Sequence, residues 1–316
     1  MTDLRNPIYS DENAAREHLE AIRWPDGPYC PFCGQDETVK PLGGKSMGPG
    51  WYHCSACREK FTVRVGTVYE RSKIPLHKWL LATHLLCASK KGMSAHQMHR
   101  MLGLTYKTAW FMAHRIREAM KDDAPTPMGG PGGSVQADET YFGKVANPKK
   151  ATTSGRDYTR SKAGRGPANK RAVVSLVSGG KARTFHVAHA DAHTVRGLLV
   201  ANVRRESELH TDESRLYVRV GEEFAAHRTV NHSANEYVGP QGQSTNKVEN
   251  YFSIFKRGMK GVYQHCAEKH LQRYINEFDF RYNSREIADA ERRDKALAGA
   301  EGKRLTYRRT NEANHA

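Results

Sequence analysis

The sequence predicts an α/β chain: a mixed sheet flanked by helices, preceded by a small zinc ribbon and a helical region. Three observations carry this. Four cysteines pair early as Cys30-Pro-Phe-Cys33 and Cys54-Ser-Ala-Cys57. A Pro/Gly stretch over 123–133 separates a helical segment from one with a different texture. Beyond it, strand-like runs come first and helical runs after. The predicted boundaries are 1–70 for an N-terminal helix and the ribbon, and 71–122 for the helical region. A linker covers 123–133, the α/β domain covers 134–290 with a basic insertion at 144–171, and a tail covers 291–316.

The chain has 316 residues, enough for about two domains plus a small module. Lys and Arg number 50 against 34 Asp and Glu, a formal net charge of +16 that favours a polyanionic partner over a small neutral ligand. No apolar run is long enough to span a bilayer; the best, Ile74 to Ala88, is broken by His77, Lys78 and His84. The N-terminus lacks the apolar core of a secretory signal, so a cytoplasmic, nucleoid-associated protein with no membrane partner is expected. Six cysteines in this length point to metal ligands or buried thiols rather than a disulfide scaffold.

Residues 10–23 read as a helix, with Ser10 as cap and Ala15, Leu19 and Ile22 at helical spacing; Trp24-Pro25 ends it. Strand-like pieces such as Lys60–Val65 follow. The two Cys-x-x-Cys knuckles, twenty residues apart, place Cys30, Cys33, Cys54 and Cys57 within reach of one tetrahedral Zn²⁺. Gly34 lets the backbone turn around the metal. Four thiolates leave no open position, so this zinc is expected to be structural.

Residues 74–120 read as helices. Ser94 with Gln97 makes a capping box, Met98, Met101 and Leu102 an apolar stripe, and Gly103 a stop. Thr105 caps the next helix, with Ala109, Met112 and Ile116 facing inward. Tyr106, Lys107, Thr108, His114 and Arg115 are then expected to face DNA, as in a helix-turn-helix. A plain helical hairpin has the same pattern; the +16 balance favours DNA.

In the α/β part, Ser134–Tyr141, Ala172–Val177, Arg183–Ala188 and Glu208–Thr211 read as strands, with a hairpin turn opening at Ser178-Gly179-Gly180. Residues 193–204, 246–260 and 267–284 read as helices. Asp138 and Asp212 sit at strand ends. Glu249 lies on a helix whose Val248, Tyr251, Phe252 and Phe255 form one buried stripe, and Lys256 lies two turns further on the same face. Two aspartates and a glutamate there can hold two divalent cations, Mg²⁺ or Mn²⁺, and Lys256 a DNA phosphate. Spacing alone leaves open that some of the 34 acids end strands by chance.

In this order the motifs resemble the DDE transposases of bacterial insertion sequences, in the zinc-ribbon group related to the Merlin superfamily. The carrying strings are Cys30–Cys33, Ala137-Asp138-Glu139-Thr140-Tyr141, His210-Thr211-Asp212-Glu213, Val230-Asn231-His232 with Glu236-Tyr237-Val238, Thr245-Asn246 through Lys256-Arg257-Gly258, and Phe278 to Asn283. The resemblance spans about residues 10–290. It implies an RNase H-like domain with Asp138 on its first strand, the 172–188 hairpin as strands two and three, Asp212 ending strand four, and Glu249 on a later helix.

It implies as catalytic residues Asp138, Asp212, Glu249 and Lys256, and as partner double-stranded DNA, engaged by a homodimer or larger assembly. Lys107, Arg115, Lys149, Lys150, Arg156, Arg160, Lys162, Arg165 and Arg257 are the expected DNA contacts. The insertion 144–171, with nine Lys and Arg against Asp157, is longer and more basic than the family pattern. A ribbon-bearing regulator without chemistry and an RNase H-like nuclease remain as rivals. Asp191 reads as a turn residue, Asn246 as a helix cap, and Cys87 and Cys266 as buried thiols. His232 either assists near the site or makes a structural hydrogen bond. His265, Arg273, Arg281 and Arg285 either face phosphates or form a solvated face.

Overall fold

The computed structural model describes residues 4–44, 47–147, 150–153, 156–159, 169–231 and 237–306, with backbone only from 150 to 159. In chain order the elements are α1 (Glu12–Arg23), β1 (Val39–Leu42), β2 (Trp51–Cys54), β3 (Lys60–Phe61), α2 (Leu76–Ala88), α3 (Ala95–Leu102) and α4 (Tyr106–Ala119). Then come β4 (Ser134–Lys144), β5 (Lys150–Thr153), β6 (Arg156–Thr159), β7 (Lys170–Ser178), β8 (Lys181–Val187), α5 (Ala192–Asn202) and β9 (Glu208–Asp212). The last are α6 (Val218–Gly221), β10 (Ala226–Val230), α7 (Asn246–Gly258), α8 (Leu271–Asn283) and α9 (Asp289–Ala298). The chain divides into two compact units, one of residues 1–121 with 284–316 and one of 122–283. No helix among the described residues is long and apolar enough to cross a membrane.

In the first unit, α1, α2 and α9 pack together. The cap of α1 is Asp11, whose carboxylate accepts from the Ala14 amide, not Ser10. Ala15 and Leu19 are buried as expected, while Ile22 is half-buried and Arg23 lies inside, donating to the Val63 and Val65 carbonyls. Residues 291–298, expected as tail, belong to α9; Arg293 donates to the Tyr9 hydroxyl and Arg292 to the Cys87 carbonyl, tying the helix to this unit. β1, β2 and β3 form a small antiparallel sheet, with the strand at Lys60 stopping at Phe61 rather than Val65.

The second unit is built on a five-stranded sheet of order β10-β9-β4-β7-β8. β4, β7 and β8 are antiparallel neighbours, and β9 and β10 run parallel to β4. This is the RNase H-like mixed sheet. The hairpin between β7 and β8 closes on Gly179 and Gly180, both at positive φ (54° and 76°), as a two-residue turn of matching twist requires. The sheet is apolar on both faces. Val135, Ala137, Val174, Leu176 and Leu209 pack with α5 and α6; Val173, Val177 and Ala182 pack with α7 and α8. Val248, Tyr251, Phe252 and Phe255 are all buried in the second cluster, as their spacing predicts.

The glycine-rich segment expected as a linker is laid down on this unit: Met128 bridges to Val203, and the Gly130 amide donates to Ser207 Oγ at 2.9 Å. Asp191 caps α5 by accepting from the Thr194 amide. Within the basic insertion, β5 and β6 pair as a two-stranded antiparallel ribbon.

Candidate active site and metal centres

The two knuckles are near copies of one another. The Gly34 amide donates to the Cys30 carbonyl at 2.9 Å and the Arg58 amide to the Cys54 carbonyl at 2.8 Å. Gly34 stands at φ 78° and Arg58 at φ 65°, so the second knuckle makes with arginine the left-handed turn that glycine makes in the first. The four thiols lie within 4.8 Å of one another, with Cys30–Cys57 at 3.5 Å and Cys33–Cys54 at 3.6 Å. A tetrahedral Zn²⁺ with bonds of about 2.3 Å separates its sulfurs by about 3.8 Å, so the donor set fits that ion. The Thr38 hydroxyl, with neighbouring amides, pulls the Cys54 thiol down to about 6, toward the thiolate that binds metal.

Asp138 lies within β4 rather than at its end, opposite Ser175. β4 and β9 are paired from Ser134↔Glu208 to Gln136↔His210, so Asp138 and Asp212 each stand two residues beyond the last pair. Asp212 ends β9, and its carboxylate accepts from the Ser214 amide at 3.0 Å. Glu249 lies in the first turn of α7, where the helix dipole favours a carboxylate, and accepts from the Thr245 hydroxyl at 3.0 Å. Burial, with the charges of Glu139, Asp212 and Glu249, pushes the Asp138 carboxyl up to about 8, against the pull of the Glu139 amide at 2.7 Å. Asp212 and Glu249 therefore both bear electrostatically on Asp138. Among the described residues only the four cysteines bring their ligand atoms within 4.8 Å; the three carboxylates do not draw together so closely. Such a site carries excess negative charge, and its all-oxygen donor set suits a hard divalent cation.

Three supporting features escaped sequence reasoning. On the opposite face of β4, Glu139 accepts from the hydroxyl of fully buried Tyr217 at 2.7 Å, and burial raises its carboxyl. That bond ties the residue after Asp138 to the segment after Asp212. Behind Asp138, the buried Ser175 and Thr184 hydroxyls pair at 2.8 Å, and the Thr184 amide and Tyr251 hydroxyl both donate to Asp279, whose buried carboxyl is pushed up to about 6. Third, the first amides of α7 are capped not by Asn246 but by Gln136: its Oε1 accepts from Lys247 at 2.9 Å and from Val248 at 3.2 Å. A polar residue at an inward strand position, two before Asp138, was the visible signal for Gln136.

Comparison with known proteins gives two family matches. Residues 131–283 match the ISXO2-like transposase domain, and residues 10–60 match the transposase zinc-ribbon domain. Together the two matches fit a zinc-ribbon DDE transposase of an insertion sequence. A relative in Halobacterium salinarum (strain ATCC 700922 / JCM 11081 / NRC-1), described as an uncharacterized protein in transposable element ISH50, is 29% identical over 279 residues, covering 86% of this chain and 91% of that one. Among solved structures, the Mos1 strand transfer complex matches at 11% identity over 72% of this chain and 79% of that one, with a TM-score of 0.28. The simian T-cell lymphotropic virus intasome, in complex with PP2A regulatory subunit B56 gamma, matches at 13% identity and a TM-score of 0.28 over 64% of each chain, under two-thirds of the intasome chain's length.

The expected DNA contacts fare unevenly. In the helical hairpin Ser94 and Thr105 cap α3 and α4 through the Gln97 and Thr108 amides, and Ala109, Met112 and Ile116 are buried. Lys107 and Tyr106 are exposed. Arg115 is buried, donating to the Glu70 carbonyl at 2.6 Å with its guanidinium over the Trp79 and Phe111 rings, and His114 is buried too; neither faces solvent. Met101 is exposed and leaves the apolar stripe to Met98 and Leu102. Arg257 is exposed, its Nε donating to the Ser253 carbonyl, and Lys256 is half-buried. Arg281 is buried against Glu277 and Phe278, which excludes it from a solvated face. Lys149, Arg160, Lys162, Arg165 and His232 lie outside the described residues, as do the side chains of Lys150 and Arg156.

Proposed function

We propose that this chain binds the terminal inverted repeats of its own insertion sequence and carries out metal-dependent DNA cleavage and strand transfer. The observation that carries the reading is that Asp138 and Asp212 stand two residues beyond the last pair of neighbouring strands, and that Asp212 and Glu249, in the first turn of α7, both oppose Asp138 ionisation. Asp138, Asp212 and Glu249 would hold two Mg²⁺ or Mn²⁺ ions. When bound, such a pair supplies charge stabilisation to the attacking and leaving oxygens of an in-line phosphoryl displacement. The protein's part is positioning: the rigid sheet fixes the aspartates, and Thr245 orients Glu249. Lys256, two turns along the same helix face, would hold a backbone phosphate, with Arg257 beside it. No side chain is asked to form a covalent intermediate.

Zinc held by the four cysteines would stabilise the ribbon, which is too small to fold on its own apolar surface. Ribbon and helical hairpin would engage the element ends, with Lys107 on a phosphate. Joining two ends calls for a dimer or larger assembly. The test compares cleavage, with Mg²⁺, of a duplex carrying the element's end, a four-way junction and an RNA–DNA hybrid. Preference for the end duplex is expected. Preference for the junction or hybrid would make the chain a structure-specific nuclease, and binding without any cleavage would make it a regulator.

A further inference from the structure

A helix N-terminus leaves amide donors that are usually satisfied by the side chain of the residue just before the helix. At α7 that residue is Thr245, which makes no such bond; its hydroxyl donates instead to Glu249 Oε1 at 3.0 Å. The donors at the second and third helical positions, Lys247 and Val248, are taken by one oxygen of Gln136 on β4. The cap thus comes from another element, and that element is the strand carrying Asp138.

Gln136 is buried at 7% exposure. Its backbone is held on both sides, by Val177 of β7 and His210 of β9, so it stands in the interior of the sheet, where it has little freedom to drift. Side chains alternate along a strand, so Gln136 and Asp138 share the α7 face. The paired residue His210, two before Asp212, reaches the same helix start, its Nδ1 accepting from the Ser244 amide at 3.5 Å. Both aspartate strands therefore contact the entry of the Glu249 helix two residues ahead of their acids.

From this we infer that Gln136 is a positioning residue: its amide oxygen fixes where the Glu249 helix begins relative to the Asp138 strand, and so sets the spacing of the three carboxylates. With the cap supplied by Gln136, the Thr245 hydroxyl is turned toward Glu249. The inference rests on the proposed metal site, and the experiment separates the two.

The full-length protein is titrated with Mn²⁺ alone, and binding is read by calorimetry and by the spin-resonance signal of free Mn²⁺. Gln136→Met has nearly the same volume and lacks the acceptor; it is expected to weaken Mn²⁺ binding by about 10- to 100-fold, the usual effect of losing a residue that orients a metal ligand. Gln136→Glu keeps an oxygen acceptor and is expected to restore binding to near the parent level, a rescue that loss of packing alone would not show. If Gln136→Met does not fold, Gln136→Asn, which withdraws the amide by one methylene, is expected to show the same direction of loss. Parent-like Mn²⁺ binding by Gln136→Met, or by Gln136→Asn in its place, overturns the inference if Asp138→Ala abolishes binding in the same assay. Parent-like binding by Asp138→Ala overturns instead the metal site on which the inference stands.

Discussion

Asp138 is held where both burial and three neighbouring acids oppose its ionisation, and this has a stability consequence. Its carboxyl titrates near 8 in the folded chain and near 3.8 in the unfolded one. A group whose pKa rises on folding contributes stability that is full below the unfolded value and is lost as pH climbs through the folded one. Without divalent cation, the second unit is therefore expected to lose stability as pH climbs from about 4 to about 8. Asp138→Asn removes that charge and is expected to be more stable at pH 8 by about 2–4 kcal/mol, with most of the pH slope gone. Hydrogen exchange of the buried β4 and β7 amides measures it, since those amides report the opening of this unit. An unchanged slope in Asp138→Asn would mean that other groups set the pH response.

The elements were legible where local chemistry decides them. Ser94, Thr105 and Asp191 sit just before their helices with a free side-chain oxygen, and each accepts the expected amide. Gly179-Gly180 admits one tight turn, and the stripe from Val248 to Phe255 admits one buried face. What stayed hidden depends on partners distant in sequence. Gln136 caps a helix that begins 110 residues later, and Asp279 and Asn283 of α8 accept from the Thr184 and Ala182 amides of β8. Arg115 misled because charge argues for a solvent face, whereas here the Glu70 carbonyl and two aromatic rings hold it inside. Arg115→Ala is accordingly expected to cost the first unit about 2–3 kcal/mol, by loss of packing and of a buried bond, and to leave the salt slope of DNA binding unchanged in folded protein. Lys107→Ala is expected to do the reverse: parent stability, and a slope reduced by about 1. Thermal unfolding paired with DNA titrations at several salt concentrations reads both.

Across the whole molecule the charge is uneven. Residues 144–171 hold nine of the 50 Lys and Arg against one acid, a local +8 out of a net +16. This insertion joins β4, which carries Asp138, to β7, so a basic stretch follows directly on the acidic site proposed to accept DNA phosphate. Replacing the nine by Gln is expected to weaken DNA binding and flatten its salt dependence while leaving Mn²⁺ affinity intact; a salt slope equal to the parent's would remove the insertion from DNA recognition. On the proposed reading the ribbon, the helical hairpin and the three acids serve one reaction on DNA ends, and that is open to a direct assay. The parent protein and Asp138→Ala, matched for folding and DNA affinity, are incubated with Mg²⁺ and duplex DNA carrying the element's end. The expected result is nicked or joined product from the parent only, and none when Mg²⁺ is withheld. Full activity in Asp138→Ala, or cleavage by the parent that needs no divalent cation, would contradict it.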